Sequence, residues 1–274
     1  LIELPVEVCN ITSLEKLNIS QNKLTTFPEE IGNLVNLENL TATSNKLKTL
    51  PRTIGNLQKL KYLYLYRNEL STLPSEIGKC KQLRMLQLIQ NKISSLPVEI
   101  GNLKNLTDID LNENNLKKLP ETFGNLKSLV RLDLRNNKLK NFPQNMKNLQ
   151  NLEMIMLDNN DLSEIPEFIF KLPKLKYLGF SFNKLNHFPA ELTELKNLET
   201  LELRSNQITS IPPEIKKLRH LRILDLTNNQ LKELPIELNS MNSLGFLYID
   251  RNPLNLKPEV MRLNKPSQIF RNLF

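Results

Sequence analysis

Two histidines and two cysteines are the usual candidates for nucleophilic or metal chemistry in this chain of 274 residues. His187 precedes a predicted turn and His220 a predicted strand, so the two rings do not form a pair. Cys9 and Cys80 lie about three repeat units apart, roughly 15 Å by strand spacing, which is too far for a disulfide. No Cys–His pairing, phosphate-binding glycine loop or metal-spaced Cys/His cluster occurs in the sequence. The sequence therefore predicts a non-enzymatic protein without a cofactor.

Carboxylates are the second group of side chains that could bind a ligand. Asp108 and Asp110 point the same way on one predicted strand, and Asp133 lies one strand over. Such oxygens could hold a hard cation. Arg131 and Arg135 stand beside them, which favours a salt-bridged surface instead. A cation or small-ligand site at these three aspartates is kept as an alternative.

An internal repeat determines which elements position these residues. Asparagine recurs every 23 residues, and no insertion or deletion interrupts the series. Proline follows the same period from Pro5 to Pro258. The repeated asparagines are Asn22, Asn45, Asn68, Asn91, Asn114, Asn137, Asn160, Asn183, Asn206, Asn229 and Asn252.

Each repeat unit carries seven apolar positions, and all seventy of them in the ten full units between residues 14 and 243 are apolar. Two of the seven alternate with polar residues, which is the period of a half-buried strand. The stretch 28–34 has apolar residues three apart, which predicts a helical or 3₁₀ turn with proline at its start. In the first full unit the apolar positions are Leu14, Leu17, Ile19, Leu24, Phe27, Ile31 and Leu34.

Stacking of the units is required, because one unit cannot bury seven apolar side chains alone. The strands are then expected to form one long parallel sheet with a spacing of about 4.8 Å. The asparagine amides should satisfy buried backbone groups where the chain leaves each strand. Glycine is expected to end the turn at Gly32, Gly55, Gly78, Gly101 and Gly124.

The pattern L-x-x-L-x-L-x-x-N-x-L resembles the signature of the leucine-rich repeat family over residues 1 to about 258. The extended unit, ending L-P-x-x-I-G-x-L-x-x-L, is similar to bacterial 23-residue repeats and, in its Lys, Asn and Ile content, looks most like those of Leptospira. It also resembles the repeats of Ras-associated scaffolds of eukaryotes.

The resemblance implies an α/β leucine-rich repeat solenoid. In this family a curved right-handed coil has a parallel concave sheet, with short helical or 3₁₀ turns on the convex side. The family is also known for binding protein partners through the concave sheet. The similarity to Leptospira proteins favours a secreted or surface protein with a role in host interaction over a cytoplasmic one.

Three segments follow from the repeat: a partial N-terminal coil at 1–13, about eleven repeats at 14–258 and a C-terminal cap or tail at 259–274. Because Leu1 matches the middle of a unit, we expect the natural protein to begin earlier. Lys257 and Asn264 stand at positions that are apolar in other units. Phe270 and Phe274 are expected to cover the last coil, with a flexible tail as the alternative.

Tyrosine marks the expected interaction surface. All five tyrosines fall at positions whose side chains should point outward from the sheet, and three of them lie on one strand. Tyrosine suits any β-surface, but an exposed apolar and aromatic patch rimmed by arginine is typical of an interaction site. We expect partner binding at Tyr62, Tyr64, Tyr66, Arg67, Arg84, Met85 and Ile89.

Two further outward clusters are candidates for partner binding. Methionine in the first could provide an adaptable contact surface, and packing between strands is the alternative. The second lies near the C-terminal end, where packing of a cap is the alternative. The first comprises Met154, Met156, Tyr177 and Phe182, and the second Ile223, Phe246 and Tyr248.

Charge and hydropathy restrict the class of partner. The net charge is +8, but the outward sheet positions hold 10 basic and 12 acidic residues, so the basic excess lies away from the aromatic patches. A nucleic-acid binder would combine arginines and stacking aromatics on one face. No run of about 18 apolar residues is present, which excludes a transmembrane helix. We therefore expect a protein partner, no nucleic acid and no membrane insertion, with a self-assembling structural protein that forms homodimers as the alternative.

Overall fold

The computed structural model describes residues 1–254. The expectations for Lys257, Asn264, Phe270, Phe274 and the segment 259–274 fall outside this range. The chain forms two compact units, unit 1 spanning Leu1–Leu152 and unit 2 beginning at Glu153. Both units repeat one short strand and one 3₁₀ turn for every 23-residue coil.

Unit 1 contains a short helix, six strands and six 3₁₀ turns. The helix is α1 (Val6–Cys9), and the strands are β1 (Lys16–Asn18), β2 (Asn39–Thr41), β3 (Tyr62–Tyr64), β4 (Met85–Gln87), β5 (Asp108–Asp110) and β6 (Arg131–Asp133). The turns are Glu29–Asn33, Arg52–Asn56, Ser75–Lys79, Val98–Asn102, Glu121–Asn125 and Gln144–Asn148.

Unit 2 contains five strands and four 3₁₀ turns in its described part. The strands are β7 (Met154–Met156), β8 (Tyr177–Gly179), β9 (Thr200–Glu202), β10 (Ile223–Asp225) and β11 (Phe246–Tyr248). The turns are Glu167–Lys171, Ala190–Glu194, Pro213–Lys217 and Ile236–Ser240.

The strands of each unit are parallel and pair in sequence order. Each residue pairs with the residue 23 positions later, as Tyr64 does with Gln87, Gln87 with Asp110 and Asp110 with Asp133. Equal positions of neighbouring coils therefore lie side by side. The predicted solenoid of parallel strands and short turns is confirmed, and the turns of the repeat are 3₁₀ helices.

The apolar columns form the core of each unit. Leu17 and Ile19 are buried, and so are their equivalents in later coils. Within the ten full units, the half-buried members of the seven columns are Leu14, Phe142 and Leu234. Because each buried aliphatic side chain contributes about 1.5–3 kcal/mol, stacking of coils supplies the main stabilising term.

The asparagine of each coil satisfies backbone groups of two coils, as the sequence predicts. The Oδ1 atom of Asn68 accepts a hydrogen bond of 3.0 Å from the N–H of Leu47, in the preceding coil. Its Nδ2 donates to the carbonyl oxygens of Ala42 at 2.9 Å and Leu65 at 3.0 Å. The amide is buried, and the backbone groups that it contacts cannot reach water. Its hydrogen bonds therefore supply the partners that these groups need.

Glycine in the turns has a different role from the one that the sequence suggests. No glycine of residues 1–254 has a positive φ, so glycine does not end the turns in a left-handed conformation. A Cβ on Gly55 would lie 2.7 Å from the carbonyl oxygen of Glu76 and 2.9 Å from its Cβ. Glycine is needed at this position because the turn of the next coil packs directly against it.

A left-handed residue precedes every asparagine of the column, which the sequence did not reveal. These residues have φ between 53° and 57°, and none of them is glycine. The conformation costs a non-glycine residue roughly 1–2 kcal/mol, so the flanking hydrogen bonds must hold it. They are Gln21, Ser44, Arg67, Gln90, Glu113, Asn136, Asn159, Phe182, Ser205, Asn228 and Arg251.

Candidate functional site

Three tyrosines of β3 and the residues after it face outward, as the sequence predicts. Tyr62, Tyr64 and Tyr66 are half-buried, whereas Leu63 and Leu65 between them are fully buried. The alternation follows from the two-residue period of an extended strand. The tyrosine rings therefore lie on the side of the sheet that faces away from the core of unit 1, which we call its open or strand face. Each ring is partly accessible to a partner.

The next coil extends this surface with aliphatic side chains. Met85 of β4 pairs with Tyr62 in the strand register, and both are half-buried. Ile89 is also half-buried and occupies the position equivalent to Tyr66. We call Tyr62, Tyr64, Tyr66, Met85 and Ile89, with Arg67 and Arg84, the tyrosine surface.

Arginines stand at the rim of the tyrosine surface, and one of them is held in place. The Nε atom of Arg67 donates a hydrogen bond of 2.8 Å to Gln90 Oε1. Gln90 in turn donates from Nε2 to Glu113 Oε2 at 2.8 Å. Both Arg67 and Arg84 are exposed, so the guanidinium groups remain available to solvent or to a partner.

The Tyr64 hydroxyl remains protonated at neutral pH. Burial is the main factor that raises the pKa of this phenol, followed by the neighbouring Tyr62 and by the negative charge of Asp108. A protonated phenol can donate one hydrogen bond and accept others. Tyr64 therefore combines an apolar ring with a hydrogen-bond donor on the open face.

The three aspartates that the sequence suggests as a cation or small-ligand site lie beside the tyrosine surface, on β5 and β6. Arg131 Nε is 3.7 Å from Asp108 Oδ1, and Arg135 Nη2 is 2.6 Å from Asp133 Oδ2. Asp133 is almost fully buried, at 4% exposure. Within residues 1–254 no group of three or more His, Cys, Asp or Glu side chains is arranged to hold a metal ion.

Asp110 lies between these pairs and has an unusual acidity. Burial, and then the charge of Asp133, raise its pKa from 3.8 to about 6, against the opposing effects of the Asn112 N–H, Arg135 and Arg131. A cleft of about 210 Å³ opens at this point of the strand face. It is lined by Met85, Gln87, Asp108, Ile109, Asp110, Arg131 and Asp133, and we call it the acidic cleft.

The first candidate cluster of unit 2 is only partly accessible. Met156 is 6% exposed and offers little surface to a partner, and Met154 is half-buried. The Tyr177 hydroxyl donates a hydrogen bond of 2.6 Å to Glu202 Oε2. Phe182 is 50% exposed, and the guanidinium of Arg204 lies 5.6 Å from its ring centroid. Phe182 and Arg204 are thus the part of this cluster that a partner could reach.

The second cluster of unit 2 contains a stacked aromatic pair. The rings of Phe246 and Tyr248 are nearly parallel, with centroids 6.4 Å apart. Phe246 is exposed, and Tyr248 and Ile223 are half-buried. The structure therefore places this cluster on the strand face of unit 2, as the sequence predicts.

One polar arrangement of unit 2 carries no clear signal in the sequence. The Asp158 carboxylate accepts a hydrogen bond of 2.8 Å from the N–H of Ser181. A Cβ on Gly179 would come within 2.5 Å of Asp158 Oδ2, so glycine leaves the space that this carboxylate needs. Burial is the main cause of a raised pKa at Asp158.

The cysteines and histidines show no catalytic arrangement within the described part of the chain. Cys9 and Cys80 are free and buried, and burial raises the pKa of the Cys80 thiol to about 12. Such a thiol is a poor nucleophile. His187 contacts the side chain of its neighbour Asn186, whereas His220 is exposed among lysines. Between Leu1 and Leu254, no helix has the length and apolar character needed to cross a bilayer.

Comparisons with known proteins agree with the repeat. A family model described as a leucine-rich repeat region matches residues 5–83, 72–169 and 160–247. A leucine-rich repeat protein of Leptospira interrogans is similar at 37% identity and a TM-score of 0.79, over 94% of this chain and 71% of that one. No curated protein sequence matches the chain.

Two other solved structures are similar. One is the plant peptide hormone receptor RGFR1 in complex with RGF2, with 33% identity and a TM-score of 0.81, over 92% of this chain and 42% of the receptor. The other is an internalin from Listeria monocytogenes, with 25% identity and a TM-score of 0.71, over 92% of this chain and 77% of that one. The match to the Leptospira protein confirms the resemblance seen in the sequence. The repeat model and these likenesses together show that the chain belongs to the leucine-rich repeat family.

Proposed function

We propose that this chain binds a protein partner through the tyrosine surface of unit 1. Leucine-rich repeat folds are scaffolds for protein interaction, and the similar structures include a receptor that holds a peptide hormone. The observation that carries the proposal is the partial exposure of Tyr62 and Tyr64 on β3 and of Tyr66 just after it, next to Met85 and Ile89. Tyrosine and arginine are the residues most often found at the energetic centre of such interfaces.

Rigidity of the strand face supports the same function. The tyrosines lie on strands that are hydrogen-bonded on both sides, as the pairing of β3 with β2 and with β4 shows. Little backbone entropy is lost when a partner binds to a surface that is already ordered. An enzymatic role has less support, because the buried thiols and separated histidines provide no activated nucleophile or base.

A secreted or surface-exposed protein with a role in host contact is the more specific form of the proposal. Its support is the likeness to the Leptospira protein and to the Listeria internalin. Antibody labelling of intact source cells tests it: signal without permeabilisation is expected, and signal that needs permeabilisation contradicts it.

The test of partner binding is affinity capture from host lysate and from lysate of the source organism. The proteins captured by the wild-type chain are compared with those captured by the triple variant Tyr62→Ala, Tyr64→Ala, Tyr66→Ala. The matched control is Asn39→Ala with Thr41→Ala, which changes the equivalent outward positions of the neighbouring strand β2. We expect a partner that the triple variant loses and the control retains.

Retention of every captured protein by the folded triple variant would exclude the tyrosine surface. Light scattering over a range of concentrations tests the alternative of self-association. A dimer that the triple variant abolishes would assign the tyrosine surface to a second copy of the chain. The Phe182 and Arg204 pair of unit 2 is a second candidate, and Phe182→Ala tests it in the same capture experiment.

A further inference from the structure

One carboxylate of the acidic cleft, Asp110, has no ion-pair partner among residues 1–254. Arg135 binds both oxygens of Asp133, and Arg131 approaches Asp108. The Asp110 carboxylate accepts a hydrogen bond of 3.0 Å from the N–H of Asn112, but no Lys, Arg or His of residues 1–254 forms an ion pair with it. A partly buried charge in this state is unfavourable until a cation reaches it.

The acidic cleft gives such a cation a place to bind. Its volume is about 210 Å³, which corresponds to several water molecules at about 30 Å³ each and accommodates the end of a long side chain. The three carboxylates of the cleft, Asp108, Asp110 and Asp133, exceed by one the two arginines that pair with them, Arg131 and Arg135. The wall formed by the half-buried Met85 suits the methylene groups of lysine or arginine.

The strand register fixes the distance between the cleft and the tyrosine surface. Tyr64 pairs with Gln87, which pairs with Asp110, so two strand spacings separate Tyr64 from Asp110. This is about 10 Å, the length of about three residues of an extended segment. A single peptide segment crossing the strands can therefore contact both residues.

We propose that the partner binds as an extended segment with an apolar side chain on Tyr64 and, about three residues away, a lysine or arginine side chain in the acidic cleft against Asp110. This inference rests on the proposed function of the tyrosine surface and adds the chemistry of the partner. Charge complementarity supports it, because Asp110 is the carboxylate of the cleft that lacks a cation. At the adjoining contact, the ring of Tyr64 and the apolar side chain of the partner shield each other from water, which favours binding.

The probe is a random 12-residue peptide library displayed on phage and selected against the immobilised protein at pH 7.5. We expect enrichment of peptides with lysine or arginine about three residues from an aromatic or aliphatic residue. Their affinity should fall at least about tenfold with Asp110→Asn or with Tyr64→Ala. The matched control is Asp225→Asn, at the equivalent position of β10, where the carboxylate accepts a bond of 2.8 Å from the N–H of Thr227.

A second measurement does not depend on the folding of any variant. Lysine→Gln or Arg→Gln within a selected peptide should weaken binding to the wild-type protein as strongly as Asp110→Asn does. Some peptides could need Tyr64 but bind equally well after loss of their own basic residue and to the Asp110→Asn protein. That result would overturn this inference and leave the proposed function standing. If no selected peptide depends on Tyr64, this inference fails, and capture with the triple tyrosine variant decides the proposed function separately.

Discussion

Asp110 and Asp133 lie side by side on the paired strands β5 and β6, but an arginine neutralises only one of them. Arg135 holds Asp133 through a contact of 2.6 Å. Asp110 remains partly buried beside this pair, and burial and Asp133 together raise its pKa to about 6. The two carboxylates thus occupy equivalent positions of the repeat, but only Asp133 has an ion-pair partner among residues 1–254.

The first prediction concerns stability against pH. Because the pKa of Asp110 is about 6 in the folded chain and 3.8 at its ordinary value, the folded form binds more protons between these limits. The contribution of Asp110 to the free energy of unfolding therefore falls as pH rises through this range. We expect Asp110→Asn to be more stable than wild type at pH 7.5, and the difference to shrink at pH 4.5. Urea unfolding at both pH values measures this difference in the free energy of unfolding. A difference of equal size at both pH values would contradict the prediction.

A second prediction concerns the asparagine column. Asn114 accepts a bond of 2.9 Å from the N–H of Ile93 and donates to the carbonyls of Leu88 and Leu111 at 2.9 and 3.0 Å. Asn114→Leu leaves the buried N–H of Ile93 without this partner, at about 1–3 kcal/mol, whereas the carbonyls of Leu88 and Leu111 keep bonds from Asn91 and Asn137. We expect a loss of about 1–3 kcal/mol in denaturant unfolding. Asn102→Leu, at an exposed position, is the control, and equal stability of the two variants would refute the role of the column.

The third prediction concerns the close approach of turns. Gly55→Ala places a Cβ 2.7 Å from the carbonyl oxygen of Glu76, so the next coil must shift. Overpacking of this kind costs about 1–3 kcal/mol, and thermal unfolding should show a lower Tm. Lys147→Ala changes the equivalent position of a later turn, where the residue is exposed, and should have little effect. A Gly55→Ala variant with the wild-type Tm would contradict the packing described.

The fourth prediction concerns the left-handed positions. Gln21 has φ 56° and an exposed side chain. Glycine removes a penalty of roughly 1–2 kcal/mol but loses about 0.5–1 kcal/mol through greater freedom of the unfolded chain. The balance favours Gln21→Gly by a few tenths to about 1 kcal/mol. Lys23→Gly, two residues away and without a positive φ, should destabilise; stabilisation by both or by neither would overturn the explanation.

The periodic features of the fold could be predicted from the sequence. The alternation at Leu17 and Ile19 located the strands, and it assigned Tyr62, Tyr64 and Tyr66 to the open face. The asparagine spacing predicted the backbone bonds now seen at Asn68. These predictions succeed because every coil repeats the same contacts, so one unit determines the next.

Features that depend on one particular side chain were not predictable. The left-handed residues are chemically diverse, from Gln21 to Phe182, so their type gives no sign of their conformation. The sequence placed two arginines near three aspartates, but only their geometry shows that no cation of residues 1–254 pairs with Asp110. The low exposure of Met156 likewise depends on its neighbours in space and not on its position in the repeat.

The asparagine bonds that join each coil of unit 1 to the one before it also determine how the protein responds to mechanical force. If the solenoid is pulled from one end, the outermost coil loses its bonds while the inner coils keep theirs. Unravelling should then proceed stepwise, with each rupture releasing one 23-residue coil, about 8 nm of extended chain. Under load, unit 1 would therefore lengthen in small steps and not in one transition.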